Sequence, residues 1–255
     1  MNMLDDYVHY KDKTQTSIHL YSFDNFMTCE GNMFAYNAAK AVACGMGQAY
    51  SPLFIYGESG TGKTHLLKAI EIYIKETNSD LNVLYVSAEE FVNDVITAIR
   101  SQDNSCMCMI RDMYRNVDIL IIDDIDFLID KDSSLKEFCH TFDALQRSGS
   151  QIVLSANKAP KNLAFDELMR YRIGKGLVVE IKAPNSELKK SIIHARTKKA
   201  GLLLEDEVVN YIASSTGSNM GELEGAITSI IGYSELLKPA ITLDIAKRVL
   251  KDIVE

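Results

Sequence analysis

The chain has 255 residues, 47% of them hydrophobic, and a formal net charge of −8. That length can bury a real core in one or two domains, and the composition excludes a disordered polymer. No apolar run approaches the roughly 20 residues of a membrane helix, and the acidic balance gives no general attraction for nucleic acid, so such contact needs a local basic patch.

The first residues, Met1 to Asp6, lack the basic-then-apolar order of a signal peptide. Residues 1–20 read as a polar, aperiodic tail. The five cysteines (Cys29, Cys44, Cys106, Cys108 and Cys139) are odd in number and lack zinc spacing, which fits free thiols in a reducing cytosol. From Tyr21 short apolar runs alternate with longer amphipathic ones. The pattern predicts strands at Leu53–Tyr56, Val83–Ser87, Ile119–Asp123, Gln151–Ala156 and Leu177–Ile181. Helices are expected near 33–46, 63–76, 89–100, 134–147 and 165–171, with Ser101–Met109 as a loop. Continuous apolar strands between helices predict an α/β fold with a five-stranded parallel sheet. After Pro184 the strand signal stops. Helical segments follow at 186–200, 205–215, 219–236 and 242–253, with Asn185 or Ser186 as first cap and Gly201 as the first stop. This divides the chain into a tail (1–20), a nucleotide-binding α/β domain (21–184) and an all-helical lid (185–255).

The richest segment is Gly57-Glu58-Ser59-Gly60-Thr61-Gly62-Lys63-Thr64, a complete Walker A loop, followed by His65. It has the required context of strand, glycine-rich loop and helix N-terminus. The glycines let backbone N–H groups wrap phosphate oxygens, and the open helix end adds donors and a positive dipole. Lys63 would reach the outer phosphates of ATP, and the Thr64 hydroxyl would ligate Mg²⁺. Some 60 residues on, the strand ending in Asp123-Asp124 has the Walker B pattern. Asp123 would hold Mg²⁺ through water, and Asp124 would orient or deprotonate the attacking water. Asn157, just past the next strand, would hold that water or touch the γ-phosphate. Arg170 and Arg172 precede the last strand, where an arginine can reach a neighbouring subunit's nucleotide.

These motifs, with Tyr21-Ser22-Phe23-Asp24-Asn25-Phe26, Asn32, Tyr114-Arg115-Asn116-Val117-Asp118, Phe138-Cys139-His140-Thr141-Phe142, Ser218-Asn219 and Glu222-Leu223-Glu224-Gly225-Ala226, resemble the ATPase domain of the bacterial replication initiator DnaA family. The resemblance implies an AAA+ P-loop fold with a helical lid, ATP-controlled self-assembly in replication initiation, and a bacterial cytoplasmic, nucleoid-associated setting. It makes Asn157 the sensor-1 residue and Arg172 a finger acting in trans, with Arg115 facing a subunit interface.

Three departures bear on activity. The family's N-terminal interaction domain and C-terminal helix-turn-helix do not occur in this sequence, which leaves two readings: an isolated ATPase domain, or a short DnaA/Hda-like relative. The sensor-2 arginine before Glu222 is replaced by Gly221, so ATP hydrolysis is expected to be slow or absent. After Walker B the family carries a lysine and an arginine that contact single-stranded DNA. Here Lys131 remains and Ser133 replaces the arginine, which implies weaker single-strand binding. The residues Lys189, Lys190, Arg196, Lys198 and Lys199 read as one solvated basic helix face. Gln15 to Leu20 resembles peptides that dock on the replication sliding clamp. Alternatives to an assembling ATP-binding module are a non-catalytic regulator binding initiator or clamp, and a helicase-loader ATPase.

Overall fold

Five short runs of β-branched, aliphatic and aromatic residues form β1 (Leu53–Tyr56), β2 (Val83–Ser87), β3 (Ile119–Asp123), β4 (Gln151–Ala156) and β5 (Leu177–Glu180). The molecule is a computed structural model, and it describes residues 21–46, 50–101, 103–217, 219–238 and 240–253. The sheet order is β2-β3-β4-β1-β5, and the β2–β3, β3–β4 and β1–β4 pairs are parallel. Every residue of β3 and β4 is buried, which is why these strands read as unbroken apolar runs. Because β4 returns to lie beside β1, the chain reverses its winding there. Open α/β sheets collect functional groups at the carboxyl ends of strands around such a reversal. Asp123 ends β3, and Asn157 directly follows β4.

By internal packing the described residues form two compact units. The first holds 21–26, 34–56 and 63–179 and contains the sheet. Its helices are α1 (Met33–Ala41, extended by a kinked turn Val42–Met46), α2 (Lys63–Thr77), α3 (Ala88–Arg100), α4 (Asn104–Arg115), α5 (Asp132–Ser148) and α6 (Glu167–Gly174). Ser87 opens α3 with a full capping box: its hydroxyl accepts from the Glu90 N–H, and the Glu90 carboxylate accepts from the Ser87 N–H. Tyr114, Phe91, Phe138 and Phe142 fill the core in successive edge-to-face contacts, with centroids 4.9, 6.0 and 6.1 Å apart.

Helix α4 corrects the loop expected at Ser101–Met109. Asp103 caps it, accepting from the Ser105 N–H at 2.8 Å. Ile110, Met113 and Tyr114, at i, i+3 and i+4, face the core. The run Cys106-Met107-Cys108-Met109 has too little polar contrast to display that period. Glu137 on α5 then clamps α4: Arg111 donates to both carboxylate oxygens at 2.9 and 3.0 Å, and Arg115 adds a third bond. The two guanidinium partners hold the Glu137 carboxyl below its ordinary 4.5, Arg111 contributing most. A depressed carboxyl stabilises the fold above its unfolded pKa, and that contribution is lost as pH falls through the folded value. Glu137→Gln should therefore cost about 1–2 kcal/mol at neutral pH. It should also flatten the loss of stability below pH 4.5, read by urea unfolding across pH.

The second unit comprises 27–33, 57–62 and residues from 180 onward. Its helices are α7 (Ser186–Lys199), α8 (Asp206–Ser215), α9 (Met220–Leu237) and α10 (Leu243–Leu250). Asn185 caps α7 by accepting from the Leu188 N–H, and Gly201 takes the left-handed conformation (φ 71°) just past its end. Ile193, Val208, Ile212, Leu223, Ile230 and Leu250 are fully or nearly fully buried at its centre. Among the described residues no helix is long and apolar enough to cross a membrane.

Candidate functional site

Within the sheet unit, four side chains drawn from distant parts of the sequence converge at strand ends. Lys63, the first residue of α2, is buried and donates from Nζ to Asn157 Oδ1 at 3.0 Å. Thr64 beside it donates its hydroxyl to Asp123 Oδ2 at 2.7 Å. Burial lowers the Lys63 pKa, and the charges of Asp124, Asp123 and Asp126 pull it back up. The same acids act on each other. Asp124 is exposed by surface area, yet crowding by surrounding protein is the largest cause raising its carboxyl, followed by the Asp123 charge, with Lys63 opposing. Its backbone is left-handed (φ 55°, ψ 56°), a conformation aspartate tolerates better than most residues and one that concentrates at functional turns.

Two residues here gave no sequence signal. Tyr85 on β2 donates its hydroxyl to Asp123 Oδ2 at 2.9 Å, and the Lys68 ammonium lies 3.3 Å from its ring centroid. Burial, then the Asp123 charge, raises the Tyr85 pKa so far that the phenol remains a donor. Ser155 on β4 donates to Asp123 Oδ1 and accepts from the Asp124 N–H at 2.8 Å. The parallel register Ile122↔Leu154 sets Ser155 beside Asp123 and Asp124. Three hydroxyls thus fix one carboxylate. Tyr85 and Ser155 come from the strands on either side of β3, so only the strand order and register reveal them. Asp126, in the short turn Ile125–Leu128, is a third, accepting from both the N–H and the Nδ2 of Asn157.

In the second unit, the segment Gly57–Gly62 carries Gly60 and Gly62 at φ 76° and 102°, which side-chain-bearing residues rarely adopt. Thr61 folds its hydroxyl onto the Glu58 carbonyl at 2.9 Å, while Glu58 and Ser59 are exposed. Gly60 accepts from the Met220 N–H at 3.0 Å, and a Cβ at Gly60 would collide with the Asn219 carboxamide. Asn219 caps α9 and accepts from the Gly221 N–H at 2.7 Å. The expected sensor-2 position therefore opens the helix that meets the glycine loop.

His65 donates from Nε2 to the Ser22 carbonyl at 2.9 Å, with Tyr21 and Phe26 edge-on at 5.4 and 5.3 Å. Arg172 makes a two-pronged pair with Asp143, both bonds 2.8 Å, and its side chain is only 14% exposed. That pairing raises its own pKa and lowers that of Asp143. Arg170 is exposed on the same helix. Arg115 is engaged by Glu137 within its own chain. Lys131 is exposed at the start of α5, its ammonium 5.8 Å from the Phe127 ring. Lys189 departs from the expected basic face. It is buried, and its ammonium donates to the Ala213 and Thr216 carbonyls at the end of α8, where the helix dipole favours a cation. The Gln15–Leu20 peptide and Ser218 lie outside the described residues.

Residues 18–180 match the profile described as the bacterial DnaA ATPase domain. The chain belongs to the DnaA ATPase-domain family. It is 38% identical to domain III of the Thermotoga maritima replication initiation protein DnaA, at a TM-score of 0.84, covering 92% of this chain and 97% of that one. The AMPPCP-bound DnaA from Aquifex aeolicus is 33% identical at a TM-score of 0.76, with 86% of this chain and 69% of that chain covered. A replication initiator DnaA bound to AMPPCP and single-stranded DNA is 32% identical at a TM-score of 0.76, with 86% of this chain and 68% of that one covered. The chain thus spans about two thirds of these longer relatives. The Thermotoga maritima RuvB branch migration motor, at 18% identity and a TM-score of 0.65, shares the fold. This is a DnaA-like AAA+ domain with a five-stranded parallel sheet.

Proposed function

We propose that this domain binds Mg-ATP and uses it as an assembly switch in bacterial replication initiation or its regulation, with slow hydrolysis. The observation that carries the reading is the convergence of Lys63, Thr64, Asp123 and Asn157 at strand ends in a DnaA-family chain. The residues suit the group. Gly60 and Gly62 have the backbone that turns N–H groups toward a phosphate. Thr64 and Asp123 form an oxygen donor pair of the kind Mg²⁺ takes together with waters and substrate phosphates. Bound ATP supplies the outer phosphates. Lys63 would neutralise them, Thr64 and Asp123 would hold the Mg²⁺ that offsets their charge, and Asp124, its carboxyl raised, would take a proton from an attacking water.

Arg172 acts on a neighbour's nucleotide after exchanging Asp143 for phosphate, so assembly competes with an internal ion pair. Gly221 offers no donor to the phosphates, and Ser133 removes one cation beside Lys131, which favours retained ATP and a modest grip on single-stranded DNA. Partners under this reading are further copies of the domain or a full-length initiator in the bacterial cytoplasm. Size-exclusion chromatography tests it. Larger species with Mg-ATP, monomer with ADP, and monomer in both for Arg172→Ala are expected. A wild-type elution volume indifferent to nucleotide would contradict the switch.

A further inference from the structure

The Asn157 carboxamide is held at both ends by charged groups. Asp126 accepts from its Nδ2 at 3.1 Å and from its backbone N–H at 2.7 Å, while Lys63 donates to its Oδ1 at 3.0 Å. A carboxylate only accepts and an ammonium only donates, so these partners fix which end of the amide is which. The carbonyl end faces Lys63, and the donor end faces Asp126.

We infer that Asp126 is a positioning residue that holds Asn157 with its donor end turned away from phosphate, restraining hydrolysis. The inference rests on the proposed function, which places the outer phosphates of ATP on Lys63. Phosphate oxygens are acceptors. Toward them Asn157 now presents another acceptor. To serve as a γ-phosphate or water sensor, the amide must turn over. That breaks the bonds to Asp126 and Lys63 and points Oδ1 at the Asp126 carboxylate, acceptor against acceptor. The backbone bond from the Asn157 N–H keeps Asp126 in place throughout, so the restraint is not relieved by the turn drifting away. The lock is also electrostatic. Asp126 adds a third carboxylate to those acting on Lys63, which strengthens the ammonium that holds the carbonyl end.

The test uses Asp126→Ala, which removes the one oxygen that accepts from both the Nδ2 and the N–H of Asn157 and leaves the amide free to turn. Turnover (kcat) should rise about tenfold with KM for ATP changed less than twofold, the pattern of a group acting after binding. The gain should vanish in the Asp126→Ala/Asn157→Ala double variant. An unchanged or lower kcat, or a gain that survives without Asn157, would overturn the inference. Independently, in nucleotide-free protein, the Asn157 side-chain amide protons should exchange with solvent faster in Asp126→Ala than in wild type, by NMR. Equal exchange would also overturn it. Failure of the wild-type chain to bind a fluorescent ATP analogue would sink the proposed function instead, and the exchange measurement would still decide the orientation.

Discussion

Replacing Lys63 with alanine is expected to weaken ATP binding by about 100-fold, a loss of roughly 3 kcal/mol for one enclosed cation meeting phosphate. The effect is large because the ammonium is already buried, so little further desolvation opposes its contact with the ligand. It also stands among Asp123, Asp124 and Asp126, whose combined charge it offsets. Without it, an anionic ligand meets the charges of Asp123, Asp124 and Asp126 with their ammonium counter-charge removed. The Asp124 carboxyl, already raised and held down only by Lys63, should rise further. The fold should tolerate the change, since the ammonium serves the strand ends rather than the apolar core. Isothermal titration of both proteins with ATP and Mg²⁺ measures the difference. Affinity within threefold of wild type would show that phosphate is not held at Lys63.

Gly221→Arg is expected to raise ATP turnover by about 100-fold, in the range mutagenesis finds for one clamp on transition-state charge. The backbone can accept the side chain. Gly221 has an ordinary helical conformation, and an added Cβ would meet only the Asn219 carboxamide oxygen at 3.1 Å, a contact a small shift relieves. The residue lies in the first turn of α9, whose Met220 N–H bonds the Gly60 carbonyl, so a long donor there starts beside the glycine loop. Replacing glycine near a helix start should also stabilise α9 by about 0.5–1 kcal/mol. Phosphate release by wild type and variant under saturating ATP makes the comparison. Equal rates would mean that the missing arginine is not what slows this domain.

The strands were legible in the sequence because a two-sided buried sheet writes itself as unbroken apolar runs. β1 to β4 fall on the expected residues, and β5 stops one residue short, at Glu180. Helix α4 reads from sequence as a loop only in its sulfur-rich first half, Cys106–Met109; Ile110, Met113 and Tyr114 recur at helical spacing, and the clamp that holds it, Glu137, is 22 residues beyond Arg115. The Walker residues were legible because each sits in a local pattern. Tyr85, Ser155 and Asp126 were not, because their meaning comes from which strand lies next to which. Arg172 reads from sequence as an arginine able to reach a neighbouring subunit, and the structure gives it a partner, Asp143, that no local spacing announces. Lys189 shows the converse: a residue that looks like part of a basic stripe turns inward to cap carbonyls.

The domain is expected to retain ATP without rapid turnover. This is tested most directly by loading the domain with γ-labelled ATP and Mg²⁺, removing free nucleotide, and following label that stays bound against label released as phosphate. Stoichiometric loading is expected, with release on the order of 10⁻³ s⁻¹ or slower, the regime of P-loop proteins lacking a positive clamp. Release at several per second, or no loading at all, would contradict it.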